Sequence, residues 1–197
     1  MVYQAMTHVG PLEPPPGALP FLSGGIAQVA QVVENLDRTV EQYWKLFGIG
    51  PWDFYTYQKP LLSAASYRGA PADYSMAIAL SWIGPMRIEL IQVLRGPTVH
   101  EEHVRKHGYG VQHLGLLTDD MERSLEQSRA AGIEMIMDGR GFGRDGDGWY
   151  AYLDTEDKLG VTLELVQRPK RRWPPERTFP WPGTATAPND AQARRAR

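Results

Sequence analysis

Apolar positions along the chain follow two periods, and the order of those periods occurs twice. Residues 26–33 (IAQVAQVV) are short and rich in β-branched side chains, with turn-like residues after them, so a strand is expected there. Asn35 or Asp37 can cap the next segment. In it Val40, Tyr43, Trp44 and Phe47 fall at i, i+3, i+4 and i+7, which is one apolar face of a helix. Gly48 ends that helix. WDFYTY, SYRGAPADYSMAIALSWI and MRIELIQV follow as strand-like runs broken by Pro and Gly. The same order returns with a strand over 111–117, a helix around 120–131 stopped by Gly132, and strands over 134–137, 149–154 and 161–167. The stretch 139–148, GRGFGRDGDG, reads as a glycine-rich turn. It lacks the strand-then-helix context of a phosphate loop.

Aligning the two halves shows an internal repeat. At an offset of 85 residues, Asp37–Arg38–Thr39–Val40–Glu41–Gln42 lies over Glu122–Arg123–Ser124–Leu125–Glu126–Gln127. One residue of slippage puts Gly48–Ile49 over Gly132–Ile133, and Ile88–Glu89–Leu90–Ile91–Gln92 matches Leu163–Glu164–Leu165–Val166–Gln167. The expected architecture is α+β: two βαβββ modules in tandem, each a half-barrel, with irregular arms. The divisions are a Pro-rich N-terminal arm (1–22), a first module (23–97), a connector (98–110), a second module (111–168) and a basic tail containing Pro and Trp (169–197). The stretch 169–188, with Trp173, Phe179 and Trp181, is too proline-rich for regular structure. His100 and His103 are expected on one face of a surface connector.

Two repeated units should pair so that their sheets share an interior. A pseudo-twofold axis then gathers equivalent positions. Gln28 and His113 occupy the same place on the opening strands, and Glu89 and Glu164 the same place on the closing strands, with Gln28, Glu89 and Glu164 each between apolar neighbours. Taken singly, a strand Glu faces solvent and a strand His is a satisfied core residue. Their joint occurrence at equivalent positions gives the chemical reading its weight. Two buried acids repeated by symmetry need a shared positive partner, and one divalent cation is the economical one. Two carboxylates, an amide oxygen and an imidazole suit an octahedral ion, Zn, Ni, Co, Mn, Mg or Fe(II), with two positions left open. The other histidines (His8, His100, His103, His107) show no such pairing.

Composition narrows the alternatives. The chain of 197 residues has no cysteine, so disulfides, thiolate zinc sites, iron–sulfur clusters and a cysteine nucleophile are excluded. No apolar run approaches a membrane span, and the N-terminus lacks the pattern of a signal peptide, so a cytoplasmic location is expected. Net charge is −2 but uneven: eight Lys/Arg against two Asp/Glu in 168–197, thirteen against 21 in 1–167. An acidic body argues against a nucleic-acid binder. The basic tail (Lys170, Arg171, Arg172, Arg194, Arg195, Arg197) could touch an anion or simply be solvated.

The two βαβββ units, the opening segments that carry Gln28 and His113, and the closing [IL]EL[IV]Q strands together resemble the vicinal oxygen chelate superfamily. That superfamily includes glyoxalase I, methylmalonyl-CoA epimerase, extradiol dioxygenases and fosfomycin and bleomycin resistance proteins. The resemblance covers residues 23–168. It implies metal ligands at Gln28, Glu89, His113 and Glu164, a set similar to that of zinc-type glyoxalase I, although the segment from Glu89 to His113 is most similar to the epimerase-like branch. It also implies a closing-strand glutamate as base, Glu164 first and Glu89 second, and a homodimer.

The expected chemistry is isomerisation, epimerisation or elimination next to a carbonyl, through a metal-stabilised enolate. An Fe(II)-dependent extradiol-type dioxygenase and a small-molecule binding or resistance protein are the alternatives. The aromatic residues of both modules suggest a roomy cup for an apolar or aromatic small molecule, with Trp52, Tyr55, Tyr67 and Tyr150 as substrate contacts. Ordinary core filling is the competing reading of those rings. Arg68, Arg87 or the basic tail could hold a carboxylate or phosphate.

Overall fold

The computed structural model describes residues 24–180, together with 15 and 17–19. His8, Trp181, Arg194, Arg195, Arg197 and nearly all of the Pro-rich arm lie outside the described residues. Among those described, no helix is long and apolar enough to cross a membrane.

The first module opens with β1 (Gln28–Val32), followed by α1 (Leu36–Phe47). The Asn35 side chain accepts from the Arg38 N–H at the start of α1, and Gly48 closes the helix at φ 67°. Then come β2 (Trp52–Tyr57), β3 (Ala64–Tyr67), β4 (Ala70–Pro71), β5 (Ser75–Ile83) and β6 (Met86–Arg95). Helix α2 (Val99–His107) leads to the second module: β7 (Gly110–Leu117), α3 (Met121–Ala130), β8 (Met135–Phe142), β9 (Gly148–Leu153), α4 (Glu156–Leu159) and β10 (Thr162–Gln167). A last strand, β11 (Arg177–Phe179), lies in the tail.

All of these strands join one sheet in the order β11-β2-β5-β6-β1-β7-β10-β9-β8-β3-β4. Its centre carries the pseudo-twofold expected from the repeat. β1 and β7 pair antiparallel, and each is flanked by the parallel closing strand of its own module, β6 or β10. Alternation then assigns the two faces. Ile88 and Leu90 of β6 point toward α1, in a core with Leu36, Val40, Trp52 and Phe54. Leu163 and Leu165 of β10 point toward α3, with Leu116 and Met121. The intervening positions, Arg87, Glu89 and Ile91 on β6 and Glu164 and Val166 on β10, line the opposite, concave face.

Several expectations need correction. On α1 only the N-terminal half packs fully. Leu36 and Val40 are buried, but Trp44 and Phe47 are 40% and 70% exposed. The run between β2 and β5 contains a hairpin, β3–β4, turned through Arg68 (φ 46°) and Gly69 (φ 79°). Strand β3 pairs with β8, so this piece of the first module covers the open edge of the second. The 139–148 stretch is a turn only from residue 143. Gly139 lies within β8, where an added Cβ would fall 2.3 Å from the Tyr150 hydroxyl. The connector is not a surface element throughout: α2 has a capping box between Thr98 and Glu101, and His100 is fully buried. The tail is not wholly irregular. Residues 177–179 pair with Trp52–Phe54 as a three-residue edge strand, bounded by Pro175 and Pro180.

Candidate metal centre

Gln28, Glu89, His113 and Glu164 meet on the concave face at the module boundary. Register explains why. Gln28 is paired with Gly115 across β1 and β7, Glu164 is paired with the same Gly115 across β7 and β10, and Glu89 and His113 both pair with Ala30. The nitrogen of the Gln28 amide donates to Glu89 Oε2 at 2.8 Å and to Glu164 Oε2 at 3.3 Å. His113 Nε2 lies 3.5 Å from Glu89 Oε2 and 3.3 Å from Glu164 Oε2. Ligand atoms of Glu89, His113 and Glu164 all fall within 4.8 Å of one another, and all three residues are buried.

Gly115 makes this convergence possible. A Cβ there would stand 2.9 Å from Gln28 Cβ and 3.2 Å from Glu164 Oε2, so only glycine leaves both side chains room.

The donor set fits a divalent cation. His113 Nε2 is buried and has no hydrogen-bond partner, since neither nearby carboxylate is aligned to accept from it. Its other nitrogen, Nδ1, lies 2.7 Å from Gln112 Oε1, an acceptor, so Nδ1–H donates there and Nε2 is the atom that faces the acids and would bind an ion once its proton is displaced. The Gln28 amide would present its oxygen to an ion after a half-turn of the amide group.

Without an ion the group is electrostatically stressed. Burial, then the neighbouring Glu164, pushes the Glu89 carboxyl above its ordinary range, while His113 opposes that rise. Burial disfavours the His113 cation, but the two carboxylates outweigh it, Glu164 first, and hold the imidazole at about 9.

Two residues missed in the sequence support the centre. Gln112 is the extra residue of a β-bulge, because Ala30 pairs with His113 while Gln31 pairs with Val111. Simple alternation would send its side chain away from His113. Instead its amide oxygen serves both His113 and His100 Nδ1, the latter at 3.2 Å. His100 is thus linked to the centre. Burial, then the adjacent His113, lowers it to about 3, so it stays neutral.

The cleft above these residues measures about 440 Å³ with its open mouth included. Its wall is aromatic but not roomy. Tyr57, Phe142, Tyr150 and Tyr152 pack together at centroid distances of 5.3–5.9 Å, edge-on except for the tilted Phe142–Tyr150 pair. Burial pushes the hydroxyls of Tyr57, Tyr150 and Tyr152 up, so all remain protonated. Of the expected substrate contacts, Tyr150 lines the cleft. Trp52 does not: it is on the α1 side of β2, fully buried. Tyr55 stands outside the cleft, in a groove with Pro60, Leu61 and Trp173. Tyr67 is turned to the α2 surface, where its hydroxyl bonds Glu102. Arg68 is paired with Glu102 as well, whereas Arg87 and Arg172 reach the cleft.

The sequence model of a family described as Glyoxalase/Bleomycin resistance protein/Dioxygenase superfamily matches residues 27–152. No curated protein matches this chain in sequence. Solved structures of similar fold include a hypothetical protein, BH1468, from Bacillus halodurans (TM-score 0.55, 18% identity, 75% of this chain and 96% of that one). Methylmalonyl-CoA epimerase from Mycobacterium tuberculosis is another (TM-score 0.51, 21% identity, 76% and 89%). A third is a Streptomyces coelicolor methylmalonyl-CoA epimerase variant in complex with 2-nitronate-propionyl-CoA (TM-score 0.54, 21% identity, 76% and 97%).

Proposed function

The chain belongs to the glyoxalase/bleomycin resistance protein/dioxygenase superfamily, and from that premise we propose that it is a divalent-metal-dependent isomerase, epimerase or lyase that moves a proton next to a substrate carbonyl. The observation that carries this reading is the buried convergence of Glu89, His113 and Glu164 around one point, with His113 Nε2 unpartnered and aimed there. Gln28, Glu89, His113 and Glu164 would hold the ion. A bound divalent cation supplies Lewis-acid polarisation of a carbonyl oxygen, which makes the adjacent C–H more acidic.

The remaining steps belong to the chain's own side chains. Glu164 Oε takes the proton from the carbon and returns it, or passes it to a neighbouring position. It is the better candidate because Gln28 holds it more loosely than Glu89, at 3.3 Å against 2.8 Å. Glu89, on the equivalent strand of the other module, is the second candidate. The Nδ1–H of His113, fixed by Gln112, keeps the imidazole in one orientation. Tyr57, Tyr150 and Tyr152 exclude water and supply an apolar wall that favours an apolar or aromatic group on the substrate.

Elemental analysis of purified protein, with Glu89→Ala and His113→Ala alongside, tests the ion. About one divalent metal per chain is expected, with loss in both variants. Deuterium uptake from D2O next to the carbonyl of a substrate panel tests the reaction. Since the similar folds include methylmalonyl-CoA epimerases, methylmalonyl-CoA belongs in that panel, beside an aromatic hemithioacetal of glutathione. Metal-free protein with no exchange in any panel member would overturn the reading.

A further inference from the structure

Beyond the metal ligands, the cleft carries two positive groups that have no carboxylate partner. Arg87 precedes Glu89 by two residues on the same face of β6, and Arg172 comes over the mouth from the segment after β10. Several arginines elsewhere are ion-paired, Arg38 with Glu34, Arg68 with Glu102, Arg95 with Asp73, Arg140 with Asp138, Arg171 with Asp145 and Arg177 with Asp37. Among the described residues, neither Arg87 nor Arg172 has a carboxylate within salt-bridge distance. Arg87 has only the face of Trp82, 4.9 Å from its guanidinium carbon.

Arg172 is not a loose tail residue. On one side its segment is fastened by the Arg171–Asp145 pair, by the Arg144 N–H on the Arg171 carbonyl, and by the Lys170 N–H on Asp147. On the other side Glu176 accepts from the backbone and hydroxyl of Thr56, Thr178 donates to Asp53, and β11 pairs with β2. The strap 168–180 therefore runs from the last strand of the second module to the edge strand of the first, and fixes Arg172 over the cleft between its anchors.

We propose that this strap is part of the active site, with Arg172 and Arg87 forming a subsite for an anionic group of the substrate, a carboxylate or a phosphate. Charge balance supports it. A divalent cation neutralises Glu89 and Glu164, and the two arginines then leave the cleft positive. Both guanidinium groups line the same cleft, so an oxyanion between them would accept charge-assisted hydrogen bonds from each. The inference rests on the proposed reaction only in taking the bound anion to be the substrate's.

The test is calorimetric titration of zinc-loaded protein with phenylacetate, phenyl phosphate and neutral phenylacetamide. At least one anion should bind ten or more times more tightly than the amide, and the tighter anion identifies the group. Arg172→Gln and Arg87→Gln should each cut that preference at least fivefold, Arg172→Lys should restore part of it, and zinc affinity should not change. Equal binding of anions and amide, or a preference that survives in Arg172→Gln, overturns the proposal. Repeating the titration on chelator-treated protein separates the two ideas. If zinc fails to bind but the anion preference persists, the metal reaction falls and the subsite stands. If zinc binds and the preference is absent, only the subsite falls.

Discussion

His113 is caught between burial, which disfavours its cation, and two carboxylates, which favour it more strongly. In the ion-free protein its pKa is held at about 9, above the ordinary value of 6.5. A raised folded pKa means that the stabilising contribution is complete below about pH 6.5 and is lost as pH rises through about 9. Ion-free protein should therefore become easier to unfold in urea between pH 6.5 and 9.5, and His113→Gln should flatten that slope. A cation has to displace the same proton, so zinc affinity should climb by up to about tenfold per pH unit until about pH 9. Competition titrations would contradict this by showing a pH-independent affinity from 7 to 9. Glu164→Gln is the complementary change. It keeps an oxygen donor, so fold and most metal should persist, while proton exchange falls by about a hundredfold or more. Near-normal turnover would remove Glu164 from the role of base.

At the scale of the strand, β7 shows what a local pattern discloses and what it hides. The opening and closing strands were legible because a polar residue interrupts a largely apolar strand at the same place twice, as Gln28 and His113, then Glu89 and Glu164. Gln112 was not, since its contact with His113 depends on the bulge, and a bulge is set by the partner strand. The side assigned to an aromatic was equally hidden. Trp52 and Tyr57 lie in one alternating strand, and only the packing of α1 decides which parity faces the cleft. Gly115 carries a direct prediction. In Gly115→Ala the new Cβ must push Gln28 or Glu164 aside, so stability should drop by about 1–3 kcal/mol and metal affinity more than tenfold. Gln112→Leu releases the tether on His113 without crowding the site. Metal affinity should fall about 10- to 100-fold, and the unfolding midpoint of ion-free protein should drop as well, because two buried imidazole N–H groups lose their acceptor. If both variants bind zinc like the parent, the support assigned to β7 is wrong.

For the whole molecule, the decisive feature is that the proposed ligand set is divided evenly. Gln28 and Glu89 come from β1 and β6 of the first module, His113 and Glu164 from β7 and β10 of the second. The modules also hold each other through the β1–β7 pairing and through the β3–β4 hairpin lent to β8. That exchange could not be read locally, because β3 pairs with a strand some seventy residues later and nothing in its own sequence names that partner. A cation bound by both halves adds a third link at the centre of the sheet. Binding the folded state alone stabilises it by about 2.7 kcal/mol when the free ion is at a hundred times its dissociation constant. Thermal unfolding with zinc should therefore show one transition, not one per module, displaced upward by an amount that grows with the logarithm of free zinc. Glu89→Ala and Glu164→Ala, one from each module, should abolish the displacement to the same degree, because either leaves the ion on one half only. Arg172→Gln should leave it intact, since the strap touches the substrate side of the cleft and not the ligands. Unequal loss between the two glutamate variants would show that the ion sits within one module, and the division of labour across the pseudo-twofold would have to be abandoned.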